Sequence, residues 1–163
     1  MTDFIKIFTD GSGDNRKRDG GFGIVLIYKE EEVYYQSDKY TNTSSARMEI
    51  RGVLKALQLV ENKSLPVALY CDNQYVVNSI AKGWAYKWES EDWIDGKSNF
   101  PGSKRKNWDL FVQLLAEIRK FKRMPQFKWV KGHNGHEHNE ICDILAGEAR
   151  KSDIIIDDSV INS

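Results

Sequence analysis

No apolar run in the 163-residue chain approaches the roughly 18 residues that a membrane-spanning helix needs. Prolines number three and glycines twelve, too few for a collagen-like or low-complexity chain. There are only two cysteines, Cys71 and Cys142, so a disulfide scaffold is excluded and free thiols in a reducing cytoplasm are expected. The opening residues, Met1 to Lys6, lack the basic start and apolar stretch of a signal peptide. A cytoplasmic location without a membrane partner is therefore expected. Net charge is also missing: 24 basic residues face 24 acidic ones. What remains is 40% hydrophobic and 29% charged, the composition of one globular domain with a real core.

The charge is unevenly spread. Residues 104–131 hold nine basic side chains (Lys104, Arg105, Lys106, Arg119, Lys120, Lys122, Arg123, Lys128 and Lys131) against Asp109 and Glu117 alone. Such a stretch either attracts a polyanion or forms a solvated helix face.

Strands are expected at Phe4–Thr9, Phe22–Lys29 and Val33–Tyr40, joined by short connections as an antiparallel meander. A helix capped near Thr43-Ser44-Ser45 carries Ile50, Val53, Leu54 and Leu57 at helical spacing to about Val60. A fourth strand, Pro66–Cys71, leads into a helix over 74–82. A tryptophan-rich segment, 84–107, precedes a helix over 108–121, a fifth strand at Gln126–Val130 and a last helix over 139–150. The order β-β-β-α-β-α-α-β-α implies an α/β fold with a mixed five-stranded sheet, strands one, four and five being parallel. Residues 1–151 form the expected domain, and 152–163 an acidic, flexible tail.

Two aspartates close strands. Asp10 ends the first and Asp72 the fourth, and sites in α/β sheets form outside the carboxyl ends of parallel strands. A turn aspartate and a helix N-cap are the plainer readings. Glu49 lacks the Ser or Thr at position 46 that a capping box needs, and it flanks the apolar stripe of its helix. Asp143 sits likewise beside Ile141 and Leu145. Four converging carboxylates repel one another unless a cation joins them. All-oxygen ligation favours Mg²⁺, with Mn²⁺ able to substitute. Two such ions flanking a phosphodiester would activate water and stabilise the leaving oxygen. Structural zinc at His133, His136, His138 and Cys142 would crowd its ligands into one loop without a second Cys pair. His136 and His138 read as solvated loop histidines. His133 stands apart, in a glycine-bounded loop that leads to Asp143.

Phe8-Thr9-Asp10-Gly11-Ser12, Arg47-Met48-Glu49, Asp72-Asn73-Gln74-Tyr75-Val76 and Val130-Lys131-Gly132-His133 through Asn139-Glu140-Ile141-Cys142-Asp143 occur in order. With them the chain resembles the type 1 ribonuclease H family over about residues 4–150. The resemblance implies endonucleolytic cutting of the RNA strand in RNA–DNA hybrids by a monomer with two Mg²⁺ ions, leaving 3′-hydroxyl and 5′-phosphate ends. It assigns Asp10, Glu49, Asp72 and Asp143 to the metals, and His133 to proton handling or product release. Asn15, Ser45 and Gln74 fall near minor-groove contacts, and Ser44 and Asn73 at the pocket for a DNA phosphate. Residues 84–107 match the handle that grips the DNA strand. There Trp88 reads as packing, while Trp84 either packs or touches DNA sugars. Lys104, Arg105 and Lys106 are the candidate phosphate contacts.

The chain departs from many relatives in its loop Gly13–Arg18, in Ser45-Ala46 before Arg47, and in the acidic handle residues Glu89, Glu91, Asp92 and Asp95. Two other classes compete: a binding module without turnover, and an integrase- or exonuclease-like nuclease. The full carboxylate set argues against the first, the His133 loop and handle against the second.

Overall fold

The computed structural model describes residues 3–132 and 136–161, with side chains through Ser159. Strands β1 (Ile5–Asp14) and β2 (Asp19–Tyr28) form a hairpin paired from Lys6↔Ile27 to Asp14↔Asp19. The turn expected at Asp10 therefore lies further on, where Asp14 Oδ1 accepts the Arg16 and Lys17 N–H groups at 2.8 and 3.1 Å. The strand runs on past Asp10 because glycine lets it press on the following helix. A Cβ on Gly11 would come 2.5 Å from the Glu49 nitrogen.

The single third strand expected at Val33–Tyr40 is two strands, β3 (Glu31–Gln36) and β4 (Lys39–Thr41), both antiparallel to β2. They part at Ser37, which occupies the edge of β2: its Oγ accepts the Phe22 N–H at 2.9 Å and its N–H donates to the Phe22 carbonyl at 3.0 Å.

Helix α1 (Ser45–Leu59) starts where Ser44 Oγ accepts the Arg47 N–H at 3.2 Å. Strand β5 (Val67–Cys71) pairs parallel with β1, and β6 (Gln126–Trp129) parallel with β5. Between them lie α2 (Gln74–Ala81), α3 (Trp84–Ser90) and α4 (Trp108–Ile118). Helix α5 (Glu137–Ala149) follows β6. The mixed α/β sheet is as expected, but it has seven strand segments among the described residues, ordered β6-β5-β1-β2-β4-β7, the last being Ile155–Asp157, with β3 also on β2.

The two helices that carry site residues cover opposite faces. Phe22 lies against Gly52 of α1, whereas Gly21 and Gly23 lie against Ala149 and Leu145 of α5. Successive strand residues face opposite ways, so the glycines open one face to α5. A Cβ on Gly23 would meet Leu145 Cβ at 2.5 Å. Ile7, Ile24, Met48, Ile50, Leu57, Leu69, Leu110 and Leu114 fill the core on the α1 side, each fully buried. No described helix is long and apolar enough to cross a membrane.

The tail expected to be flexible is docked. Strand β7 (Ile155–Asp157) pairs parallel with β4, and α6 (Asp158–Ile161) begins with an aspartate that is only 1% exposed. An acidic tail reads as solvated in sequence; here Asp158 answers two arginines on α1.

Candidate active site

The parallel β1–β5 ladder ends at Thr9↔Cys71, so Asp10 and Asp72 leave it side by side. Helix α1 brings Glu49 to the same point, held close by the missing side chain of Gly11. Helix α5 brings Asp143, whose carboxyl hydrogen-bonds with that of Asp10, as does that of Glu49. The four carboxylates anticipated in the sequence thus converge from two strands and two helices. Asp10 and Glu49 are buried, Asp72 is half-buried and Asp143 is exposed.

Burial pushes the Asp10 carboxyl up to about 7, reinforced by the charges of Asp72 and Asp143. Glu49 is also pushed well up, by burial first and then by Asp10 and Asp72, although the Gly11 N–H donates to it. Carboxyls that hydrogen-bond to each other share a proton or need a cation between them. Ligand atoms of Glu49, Cys71 and Asp72 lie within 4.8 Å of one another, a spacing one ion can span. The cluster can therefore hold a divalent cation. Cys71 is a neighbour that no motif announces. Its Sγ lies 3.8 Å from Glu49 Oε2, and burial holds the thiol protonated. The strand alternation that buries Val67 and Leu69 is its only signal in the sequence.

His133 lies outside the described residues. His138, expected to be a solvated loop residue, is instead on α5. There it contacts Glu32 Oε1 at 2.9 Å and the Phe8 ring at 5.0 Å.

A second feature flanks the start of α1. Asn15, Ser44, Ser45 and Lys106 line a cavity of about 340 Å³, together with Arg18, Thr43, Arg47 and Asn107. Asn15 Oδ1 accepts the Ser45 N–H at 3.2 Å, which ties the β1–β2 turn to the helix. Asn107 was not anticipated. It is a buried asparagine with a φ of 65° at the start of α4, and only the folded backbone reveals that. Asn73 and Gln74 do not line this cavity. They open α2 directly after Asp72, where Asn73 Oδ1 accepts the Val76 N–H at 3.1 Å.

The basic stretch does not act as one face. Arg119 is paired with Glu89 at 2.6 Å, which also removes Glu89 from the acidic surplus of the handle. Lys120 is paired with Glu117. Lys104 donates to the Asp92 carbonyl at 2.6 Å and stacks over Trp108, and Arg105 stacks over Trp88. Lys106 alone of the three reaches the cavity. Trp88 packs edge-on against Phe111 at 5.5 Å, as expected, whereas Trp84 meets the Trp88 ring at 6.5 Å and stays 38% exposed.

The RNase H family model matches residues 3–151. Two curated relatives from Haemophilus influenzae strains, named Ribonuclease H and Ribonuclease HI, are 39% identical over 94% of this chain and 94% of their own length. A Ribonuclease H of Desulforamulus reducens is 37% identical over 90% of this chain and 87% of its own. Among solved structures, LC9-RNase H1, a type 1 RNase H with the type 2 active-site motif, superposes with a TM-score of 0.74 at 22% identity, covering 93% of this chain and 74% of that one. The N-terminal RNase H domain of rv2228c from Mycobacterium tuberculosis gives 0.64 at 20% identity over 92% of this chain and 95% of that one. On the family match and the near full-length identities, the chain belongs to the RNase H family and is a ribonuclease of that kind.

Proposed function

We propose that the chain cuts the RNA strand of RNA–DNA hybrids endonucleolytically, as a cytoplasmic monomer, and leaves 3′-hydroxyl and 5′-phosphate ends. The observation that carries this reading is the meeting of Asp10 with Glu49 and Asp143 beside Asp72, in a chain whose relatives are named ribonuclease H. Residues 1–151 hold the catalytic apparatus, with the handle at about 84–107.

Asp10, Glu49, Asp72 and Asp143 supply the oxygens that hold two Mg²⁺ ions, or Mn²⁺ in their place. Bound there, the ions supply an activated water and charge neutralisation at the leaving oxygen. The protein's own share is placement. Gly11 and Gly23 set α1 and α5 close enough for Glu49 and Asp143 to face Asp10. His133 handles a proton or helps product depart.

Substrate choice falls to contacts with 2′-hydroxyls across the wide, shallow minor groove. Asn15, Ser45 and Gln74 make them, so cutting follows ribose rather than base sequence. Ser44 holds a DNA phosphate in the cavity beside α1, which Asn73 does not line; Trp84 meets DNA sugars, and Lys104, Arg105 and Lys106 add cationic contacts, Lys106 most directly.

Incubation with Mg²⁺ and labelled RNA–DNA hybrid, double-stranded RNA or double-stranded DNA tests the reading. Cutting of the RNA strand of the hybrid alone is expected. Equal cutting of double-stranded DNA, or no cutting of hybrid, overturns it.

A further inference from the structure

The C-terminal tail docks on two residues, Thr43 and Arg47, that line the cavity beside the start of α1. Asp158 is 1% exposed, and its carboxylate is shared by Thr43, Arg47 and Arg51, of which Thr43 and Arg47 line the cavity. Thr43 Oγ1 donates to Asp158 Oδ2 at 2.8 Å, Arg47 Nε donates to the same oxygen at 2.7 Å, and Arg51 Nε donates to Oδ1 at 2.9 Å. Each partner is more than 100 residues away in sequence.

Arg47 passes the constraint on. Its Nη1 and Nη2 grip Asp109 at 3.0 and 2.8 Å, a two-pronged pair that fixes the first turn of α4 against α1. The same Nη1 reaches Asn107 Oδ1 at 3.5 Å. An amide whose oxygen is held by an arginine turns its N–H donors the other way. Thr43, Arg47 and Asn107 all line the cavity that also holds Ser44, Ser45 and Lys106. The cavity's two walls, the start of α1 and the start of α4, therefore meet through one guanidinium whose second anchor is the tail.

We propose that Asp158 is a positioning residue for this cavity, holding Thr43 and Arg47 so that the Ser44 and Asn107 walls stay set for a phosphate of the substrate. This rests on the hybrid reading above for the identity of the substrate, but not for the anion. The tail then matters for grip rather than for chemistry, because the contacts described for Asp158 run to Thr43, Arg47 and Arg51. It also leaves Arg47 with two carboxylate partners, so the cation that shapes the wall is neutralised and the phosphate is met by neutral donors and Lys106.

The test compares Asp158→Asn and the milder Thr43→Val with the unaltered chain, at a temperature where circular dichroism shows each folded. Two readouts are taken: KM and kcat on hybrid, and amide NMR shifts of Ser44, Ser45 and the Asn107 side chain on titration with methyl phosphate. KM is expected to rise at least about tenfold for Asp158→Asn, the scale of a broken charge-assisted hydrogen bond, with kcat little changed. Thr43→Val should shift KM the same way by less. Methyl phosphate should move the Asn107 amide in the unaltered chain and fail to do so in Asp158→Asn. Unchanged KM and unchanged titration in a folded Asp158→Asn overturn the proposal, leaving the tail a stabilising strap. Absence of any methyl phosphate shift in the unaltered chain overturns it too. A chain that does not cut hybrid but shows the Asp158-dependent titration keeps the positioning role and removes the functional reading instead.

Discussion

Thr9 and Cys71 are the last partners of the parallel β1–β5 ladder, and the residue after each is an aspartate. Backbone pairing alone therefore puts two acids next to each other before any side chain is considered. The two helices add Glu49 and Asp143, and the protein folds around a cluster of like charge.

That cluster makes metal-free stability fall as pH rises. The Asp10 carboxyl is raised from 3.8 to about 7, so the folded chain keeps a proton that the unfolded chain gives up near pH 4. The stabilisation is complete below the unfolded value and is lost as pH rises through about 7. The loss is at most about 4 kcal/mol, one pKa unit being about 1.36 kcal/mol. Thermal unfolding in EDTA should show Tm dropping between pH 5 and about 8, with Mg²⁺ restoring more of it at the higher pH. A metal-free Tm that rises over this range contradicts the cluster.

Asp158 has the opposite sign. Burial alone would raise it, but hydrogen bonds from Arg47, Arg51 and Thr43 outweigh burial and bring it down to about 2. Its contribution is present above the unfolded value near 4 and disappears as pH falls through about 2. Urea titrations at pH 5 and pH 2 should differ by about 2 kcal/mol more in the unaltered chain than in Asp158→Asn. An identical pH response in both would show that the arginines do not hold the tail.

For Lys106, the structure narrows a broad expectation. Lys106→Ala should raise KM on hybrid and flatten the salt dependence of binding by about one unit of slope, the effect of removing one phosphate interaction. Arg119→Ala should do neither, since Arg119 is engaged with Glu89, and it should change stability by less than about 1 kcal/mol because the pair is exposed. Steady-state kinetics at two salt concentrations separate the two. Equal effects would mean that the whole basic stretch faces the substrate after all.

Glu49 and Asp143 are legible in the sequence because each breaks a local rule. Glu49 has no capping partner, and Asp143 stands inside a helix without a propensity reason. The parallel half of the sheet is legible because helical stretches separate β1, β5 and β6 along the chain. The split between β3 and β4 is not, since Ser37 and Asp38 carry no glycine or proline to mark a break. The docking of residues 155–158 is hidden for a different physical reason. The partners of Asp158, Thr43 and Arg51 among them, are over 100 residues distant, and a buried ion pair has no periodicity. Asn107 is equally silent, as its positive φ is a property of the folded backbone.

The carboxylate cluster, and not the binding surface alone, does the cutting in this scheme. Asp10→Asn keeps the size of the side chain and removes its charge, so it isolates that role. The decisive measurement is single-turnover cleavage of end-labelled hybrid in Mg²⁺, with hybrid binding followed in parallel. The rate should fall well over about a hundredfold, beyond the loss typical for a residue that merely supports a metal ligand. Binding should persist, and the metal-free Tm should rise as repulsion at Glu49 and Asp72 is relieved. Cleavage at near the unaltered rate by a folded Asp10→Asn would contradict the assignment of the cluster as the catalytic centre.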